Sequence, residues 1–469
     1  MKKLRRDNVE DIVPLTPMQK GMLIHHLKQP ASYIYFEQMC LEVTGDLRIH
    51  LFEQAWQKVA AINEMLRTTF RWELIENPVQ IILKEAPPVI EYVDLAQDGE
   101  APLHAVEKLL SEDRLRRVEL TDVPFRILVC KTQEQRYLVI LNNHHILYDG
   151  WSTGILLKEF FEIYNELYHG RTPGSPWKNK YKAFVSSLNK RNIQAEHDYW
   201  RTYLQGFRKE MKAAEQLPQP KPESEKTIKN VLIPASTFDL EEIRAFLKKH
   251  QITLAVLMYT AWGILLHKYY AGQDIVFGTT VSGRKPHVQQ VEDMVGLFIN
   301  TLPLRMNTAP NLKVIDLLKQ VMQMLQEREE FEYVSLADLK KYAGSGSNLF
   351  DTMVVLENYP VDNAAICGND ALRVTSYSML IQAEYDLVFN ISVLDGIELT
   401  LSYNSNRYTQ TEIENMGVHL NRVLQHIMSA STENELKLSQ IELMEAGEMD
   451  SLITALNRDR LQLQVEFDI

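Results

Sequence analysis

Residues 137–150 read YLVILNNHHILYDG, a β-rich apolar run that ends in two histidines and an Asp-Gly turn. Directly after it, Trp151, Ile155, Leu156, Phe160, Ile163, Tyr164 and Leu167 fall on one face at helical spacing. The stretch therefore reads as strand, turn and long helix. Successive side chains of a strand point to opposite faces, so His144 and His145 cannot both face one cavity. A paired-histidine metal site would need further ligands at suitable spacing; the sequence offers none, and no metal is expected. On the residues alone, His145 is as readily a hydrogen-bonded structural histidine, and Asp149 a helix N-cap or a buried ion pair beside the turn residues Gly150 and Ser152.

Outward from this stretch, helix and strand signals alternate. Thr16 and Pro17 read as the cap and first position of a helix ending near Lys28, and YIYFEQMCLEV alternates like a strand. A helix is expected over about 49–65, with strands near 67–72, 78–83, 89–93 and 124–131. The second half repeats the pattern, with helices near 193–205, 236–249, 253–270, 313–328 and 410–429. Its strands are expected near 228–234, 274–280, 350–357, 371–378, 385–394 and 397–403. The fold class is α/β in two comparable lobes. Turn-rich segments fall at 171–176, 217–226 and 343–348, and the first is taken as the boundary, giving lobes 1–175 and 176–445. Residues 446–469 read as a linker towards a following domain.

Composition narrows the function. The 469 residues are 45% apolar and 24% charged, as in folded globular chains rather than disordered ones. Fifty Lys and Arg against 62 Asp and Glu give a formal charge of −12, which disfavours nucleic acid or an anionic membrane as the main partner. The greasiest stretch, Leu254 to Leu266, falls short of the roughly 20 residues that cross a bilayer. Cys40, Cys130 and Cys367 form no CxxC pair and no even-numbered framework, and MKKLRRDNVEDIVPL lacks the apolar core of a secretory signal. A cytoplasmic location is expected.

HHILYDG at 144–150 fits the HHxxxDG motif of the condensation domains of nonribosomal peptide synthetases. Other segments resemble the remaining motifs of that family in order: LTPMQKGML at 15–23, EMLRTTF at 64–70, YWRTYL at 199–204, FGTTVSGR at 277–284, VGLFINTLPLR at 295–305 and LFDTMVVLENYP at 349–360. The resemblance spans roughly residues 8–445. It implies two chloramphenicol-acetyltransferase-like lobes forming a V-shaped pseudo-dimer, with the histidines at the junction of a central tunnel. Two peptidyl carrier proteins, donor and acceptor, would bring thioesters on phosphopantetheine arms, and no tightly bound cofactor is implied. An adenylation domain would be adjacent.

By the same resemblance His145 faces the tunnel, His144 supports the fold, and Asp149 holds the loop through an ion pair, with Arg284 as first choice of partner and Arg67 as second. His145 either accepts a proton as the tetrahedral intermediate forms or orients the amine. Gly150 is where bulk would narrow the tunnel, and Asn358, Trp200 and Ser282 are carried over as tunnel or substrate residues. The family's second motif usually begins Arg-His, where this chain has Ile62 and Asn63. Epimerisation domains carry an EGHGR-like segment that is missing here, and VGLFINT stands in place of their VGWFT. The motifs resemble the subtype that joins a D-configured donor to an L-acceptor. RRDNVEDIVPLTPMQ resembles an acceptor docking segment, placed at 1–14, for an upstream synthetase subunit; an ordinary module edge is the other reading. The competing functions are a noncatalytic carrier-docking module, an epimerisation domain and a coenzyme A-dependent acyltransferase.

Overall fold

Thr16 receives a hydrogen bond from the Gln19 backbone N–H, and the Gln19 side chain accepts one from the Thr16 N–H. This reciprocal cap, with Pro17 in the first turn, starts the helix Pro17–Lys28. Thr409 and Glu412 make the same arrangement before the helix Gln410–Ser429. The structure is a computed structural model and describes residues 4–30, 33–96, 103–116, 118–207, 227–234, 240–270, 272–284, 288–344, 349–357, 371–381, 385–393, 396–430 and 435–444. Asn358 and the expected linker 446–469 lie outside the described residues.

The strands in chain order are β1 (Val9–Pro14), β2 (Phe36–Gly45), β3 (Thr68–Arg71), β4 (Val79–Leu83), β5 (Val89–Asp94), β6 (Phe125–Gln133) and β7 (Arg136–His144). Then follow β8 (Ile228–Ile233), β9 (Asp274–Val281), β10 (Asn300–Asn307), β11 (Thr352–Glu357), β12 (Leu372–Ile381), β13 (Leu387–Val393) and β14 (Ile397–Asn404). They form a small sheet β1-β4-β3, a five-stranded sheet β12-β2-β7-β6-β5 and a six-stranded sheet β10-β9-β11-β13-β14-β8.

β7 is apolar along its length because its sheet is covered on both faces. Tyr137, Val139 and Leu141 join the core under the helices Ile49–Ile62 and Gly150–Tyr168, where Trp56 stacks on Phe160 with centroids 4.9 Å apart. Leu138 and Ile140 face the other way, against Val106, Leu109 and Leu110 of the helix Leu103–Leu115. A second core surrounds the helix Leu254–Tyr270, whose residues Val256 to Leu266 are all buried against the six-stranded sheet and its neighbours. That explains its all-round apolar sequence without a bilayer. Among the described residues no helix is long and apolar enough to cross a membrane.

Three features bear on how the chain divides. The helix Tyr181–Leu188, beyond residue 175, packs Tyr181, Phe184, Val185 and Leu188 into the first core. β12 leaves the second half altogether and pairs antiparallel with β2, Leu372 opposite Gly45 and Ile381 opposite Glu37. Gly45 has φ +130°, and a Cβ there would stand 2.2 Å from the Ala371 carbonyl oxygen, so only glycine admits the incoming strand. Finally, residues 9–14 of the expected docking segment form β1, an edge strand hydrogen-bonded to β4 in the domain's own sheet.

Candidate active site

The strand parity of β7 separates the two histidines. His144 is 3% exposed; its Nδ1 accepts from the Ile146 N–H at 3.1 Å, which puts the proton of the neutral ring on Nε2. Burial, then the neighbouring His26 and His145, hold its pKa well below the usual range, so it stays neutral. His145 points to the opposite face and keeps 16% of its side chain exposed. Its backbone N–H donates to Tyr35 at 2.8 Å, and its Nδ1 lies 2.9 Å from the Tyr148 carbonyl oxygen and 3.0 Å from Glu37 Oε1. Nε2 meets no hydrogen-bonding partner among the described residues and is available to a ligand. Burial pulls the His145 pKa down, but the charge and hydrogen bond of Glu37, with smaller contributions from Asp149 and the Tyr148 carbonyl, outweigh it and raise the pKa above the ordinary histidine value.

Asp149 is wholly buried and both of its carboxylate oxygens are hydrogen-bonded. Oδ1 accepts from the Ser152 N–H at 3.0 Å, the Ser152 hydroxyl at 2.8 Å and Arg284 Nη2 at 3.0 Å, while Oδ2 accepts from the Phe298 N–H at 3.0 Å. It is thus both the N-cap of the helix Gly150–Tyr168 and half of a buried ion pair; the two readings of this residue coexist. Arg284 is 2% exposed in its side chain, donates to the carbonyls of Val291 and Met294, and lies 4.0 Å over the Phe298 ring. The turn before it requires glycine: Gly283 has φ +63°, and a Cβ would fall 1.9 Å from the Phe298 carbonyl oxygen. The histidine turn of the first half is therefore fastened to segment 291–298 of the second.

Arg67, the alternative partner, is elsewhere. It pairs with Glu10 at 2.8 Å and donates to the carbonyls of Ala60 and Leu83. Trp200 is fully buried in a cluster with Leu204, Val276, Leu302 and Phe350, and its Nε1 donates to Phe331 O at 2.9 Å. Trp200→Phe removes that hydrogen bond and is expected to cost roughly 0.5–1.5 kcal/mol in urea unfolding. Ser282 is exposed and accepts from the Arg284 N–H at 3.5 Å. Gly150 is the first residue of its helix and half-buried. Among the described residues no group of three or more His, Cys, Asp or Glu side chains converges as a metal site would need.

Glu37 went unnoticed in the sequence, although a signal was present. The alternation of FEQMCLEV puts Glu37 on the same face as Met39, Leu41 and Val43, and a carboxylate on an apolar face demands a partner. What the arrangement offers chemically is an imidazole whose Nδ1 is engaged and whose Nε2 is left to a ligand, held at a strand end next to a hydrogen-bonded turn that a salt bridge locks.

The pattern that defines the condensation domain family matches residues 9–453, and the chain belongs to that family, the amide-forming acyltransferase domains of nonribosomal peptide synthetases. Bacitracin synthase 3 of Bacillus licheniformis is 30% identical over 458 residues, covering 97% of this chain and 7% of that protein. Surfactin synthase subunit 3 of Bacillus subtilis (strain 168) is 30% identical over 461 residues, covering 97% of this chain and 36% of the relative. The chain thus spans little more than a third, or far less, of the relatives it matches. In structure it is similar to the first condensation domain of the calcium-dependent antibiotic synthetase, with a TM-score of 0.73 at 18% identity, over 93% of this chain and 100% of that one.

Proposed function

We propose that this chain forms a peptide bond between two carrier-bound substrates. The amine of an acceptor aminoacyl thioester attacks the carbonyl carbon of a donor thioester; the C–N bond forms, the C–S bond breaks, and the donor leaves its phosphopantetheine arm as a thiol. The amine's proton passes to His145 and from there to the departing sulfur. The observation that carries this reading is His145 itself, partly exposed, with Nδ1 satisfied and Nε2 free at the place where the two halves are fastened together.

The same reading places the halves as a V-shaped pair of chloramphenicol-acetyltransferase-like lobes with His145 midway along a tunnel. Donor and acceptor carriers approach from opposite ends, an adenylation domain lies nearby, and the enzyme works in the cytoplasm. Gly150 borders the tunnel, and the donor is D-configured. Support for the D-donor comes from the motif sequences LTPMQKGMLIHH and HHILYDGWS.

The test is reconstitution. Two carrier proteins are loaded with candidate acceptor and donor residues, the donor in D and L forms, and dipeptidyl-carrier is read by mass spectrometry. Product from the D-donor alone is expected. Product from the L-donor alone overturns the donor assignment and leaves the condensation reading intact. Carrier binding without product across several pairs overturns the catalytic reading in favour of a docking module.

A further inference from the structure

We propose that Glu37 is a positioning residue for His145, fixing which ring nitrogen carries the proton and making the site a carboxylate–histidine pair. The inference rests on the condensation reading for its kinetic consequences but not for its geometry.

The two residues meet through strand register. β2 and β7 pair antiparallel with Glu37 opposite Asn143, which brings Glu37 beside the residue two positions before His145 on the same face. Glu37 is 2% exposed. A carboxylate so far from water needs partners that fix it, and it has them: Asn143 Nδ2 donates to Oε2 at 2.7 Å, leaving Oε1 aimed at His145 Nδ1 at 3.0 Å. The second neighbour of Nδ1 is the Tyr148 carbonyl. Carboxylate and carbonyl only accept, so Nδ1 must donate, and the neutral ring carries its lone pair on Nε2. Adjacent His144 is forced into the opposite tautomer by the Ile146 N–H. Two histidines in sequence are thus held in opposite protonation patterns by different partners.

The carboxylate also sets the basicity of the ring. The charged and titratable groups around His145 come from every element packed on it. Glu37 lies on β2, Asp149 with its Arg284 partner on the turn, and His144 on the preceding residue, backed by His26 of the helix Pro17–Lys28. Tyr148 is kept neutral by burial and then by Glu37, and Glu357 ends β11, its carboxyl pushed up by burial and then by Glu37. Glu37 is the neighbour that raises the imidazole most, against the opposing effect of burial. Without its charge the ring becomes a weaker base.

Glu37→Gln retains the shape and an oxygen to accept from Nδ1 but removes the charge. The acid limb of the pH–rate profile is expected to move to lower pH by about 1–3 units. The plateau kcat is expected to fall about 10-fold or more as the base weakens, with KM for both carriers unchanged because Glu37 touches no substrate. Nitrogen-15 NMR of the unmodified protein, with His145 assigned by its loss in His145→Ala, is expected to show protonated Nδ1 and bare Nε2 above its pKa. An Nε2-protonated His145 overturns the proposal even if Glu37→Gln fails to fold, and so does an unmoved acid limb in a folded Glu37→Gln. His145→Ala retaining the full rate would instead overturn the role of His145 in the condensation reading, while the tautomer result stands independently.

Discussion

Replacing His145 by alanine is expected to slow dipeptidyl-carrier formation about 10²–10⁴-fold at neutral pH, the contribution of a well-placed general base. The protein should still fold, since this side chain is partly exposed and lies outside the apolar cores. The pH dependence then separates proton removal before attack from the later roles of the ring. An aminoacyl amine has a pKa of about 8, so on the order of a tenth is already free base at neutral pH. If His145 takes the proton from the ammonium form of the amine before attack, the deficit of the variant should shrink as the pH rises from about 7 to 9 and the amine arrives already deprotonated; if it takes the proton only as the tetrahedral intermediate forms, a free-base amine still has that proton to lose and the deficit persists. If His145 only orients the amine, the deficit should stay constant, because positioning, which can supply roughly 7–11 kcal/mol, does not titrate with the substrate. Single-turnover rates across that range, with carriers in excess, make the measurement. In the unmodified enzyme the rate should rise with pH through the elevated His145 pKa, since the protonated ring below it has no lone pair to offer. An unaltered rate in the variant at every pH would remove His145 from the mechanism.

Asp149→Ala is expected to cost about 3–5 kcal/mol of stability, because it leaves the Arg284 guanidinium buried without its counter-charge. The same change strips the N-cap from the helix Gly150–Tyr168 and the acceptor from the Phe298 N–H. Urea unfolding should show the midpoint falling with little change in slope. Arg284→Met in the same chain should recover part of the loss, since removing both charges avoids the stranded one, and a double-mutant cycle would measure the coupling. Strict additivity of the two single changes would mean that the pair contributes nothing as a pair. Activity should fall further than stability predicts, because the histidine turn and segment 291–298 are joined through this carboxylate.

Much of this site was legible in the chain because it is written locally. The apolar run, two histidines, Asp-Gly and an amphipathic helix place strand, turn and helix within a few residues of one another, and Asp149 as a cap follows from the same pattern. Arg284 was foreseeable as a partner through the family resemblance of the VSGR segment, which left Arg67 as a second choice. Glu37 was harder: its partner is fixed by the register between β2 and β7, and local patterning does not specify which residue stands opposite which. The helix Leu103–Leu115 escaped for a different reason. Of its residues only Asp113 is deeply buried, so its thin apolar stripe of Val106, Leu109 and Leu110 is masked by charged neighbours. Trp200 is less legible, since a large aromatic in a recognisable segment is compatible with a cavity wall or with a core, and only packing shows that it is buried.

The exchange of β12 into the first sheet bears on how the chain is made. Until residue 381 has left the ribosome, β2 is an unpaired sheet edge, its backbone hydrogen-bonding groups open to any extended chain nearby. At about 5–20 residues per second, the wait between the end of β7 and the end of β12 is roughly 10–50 s. During that time the strand that carries Glu37 lacks one neighbour, and the nascent first half is neither finished nor protected. Splitting or recombining such synthetases between the two halves would make that temporary edge permanent, so swaps that move residues 1–381 as one piece should yield more soluble chimaeras than swaps cut near residue 175.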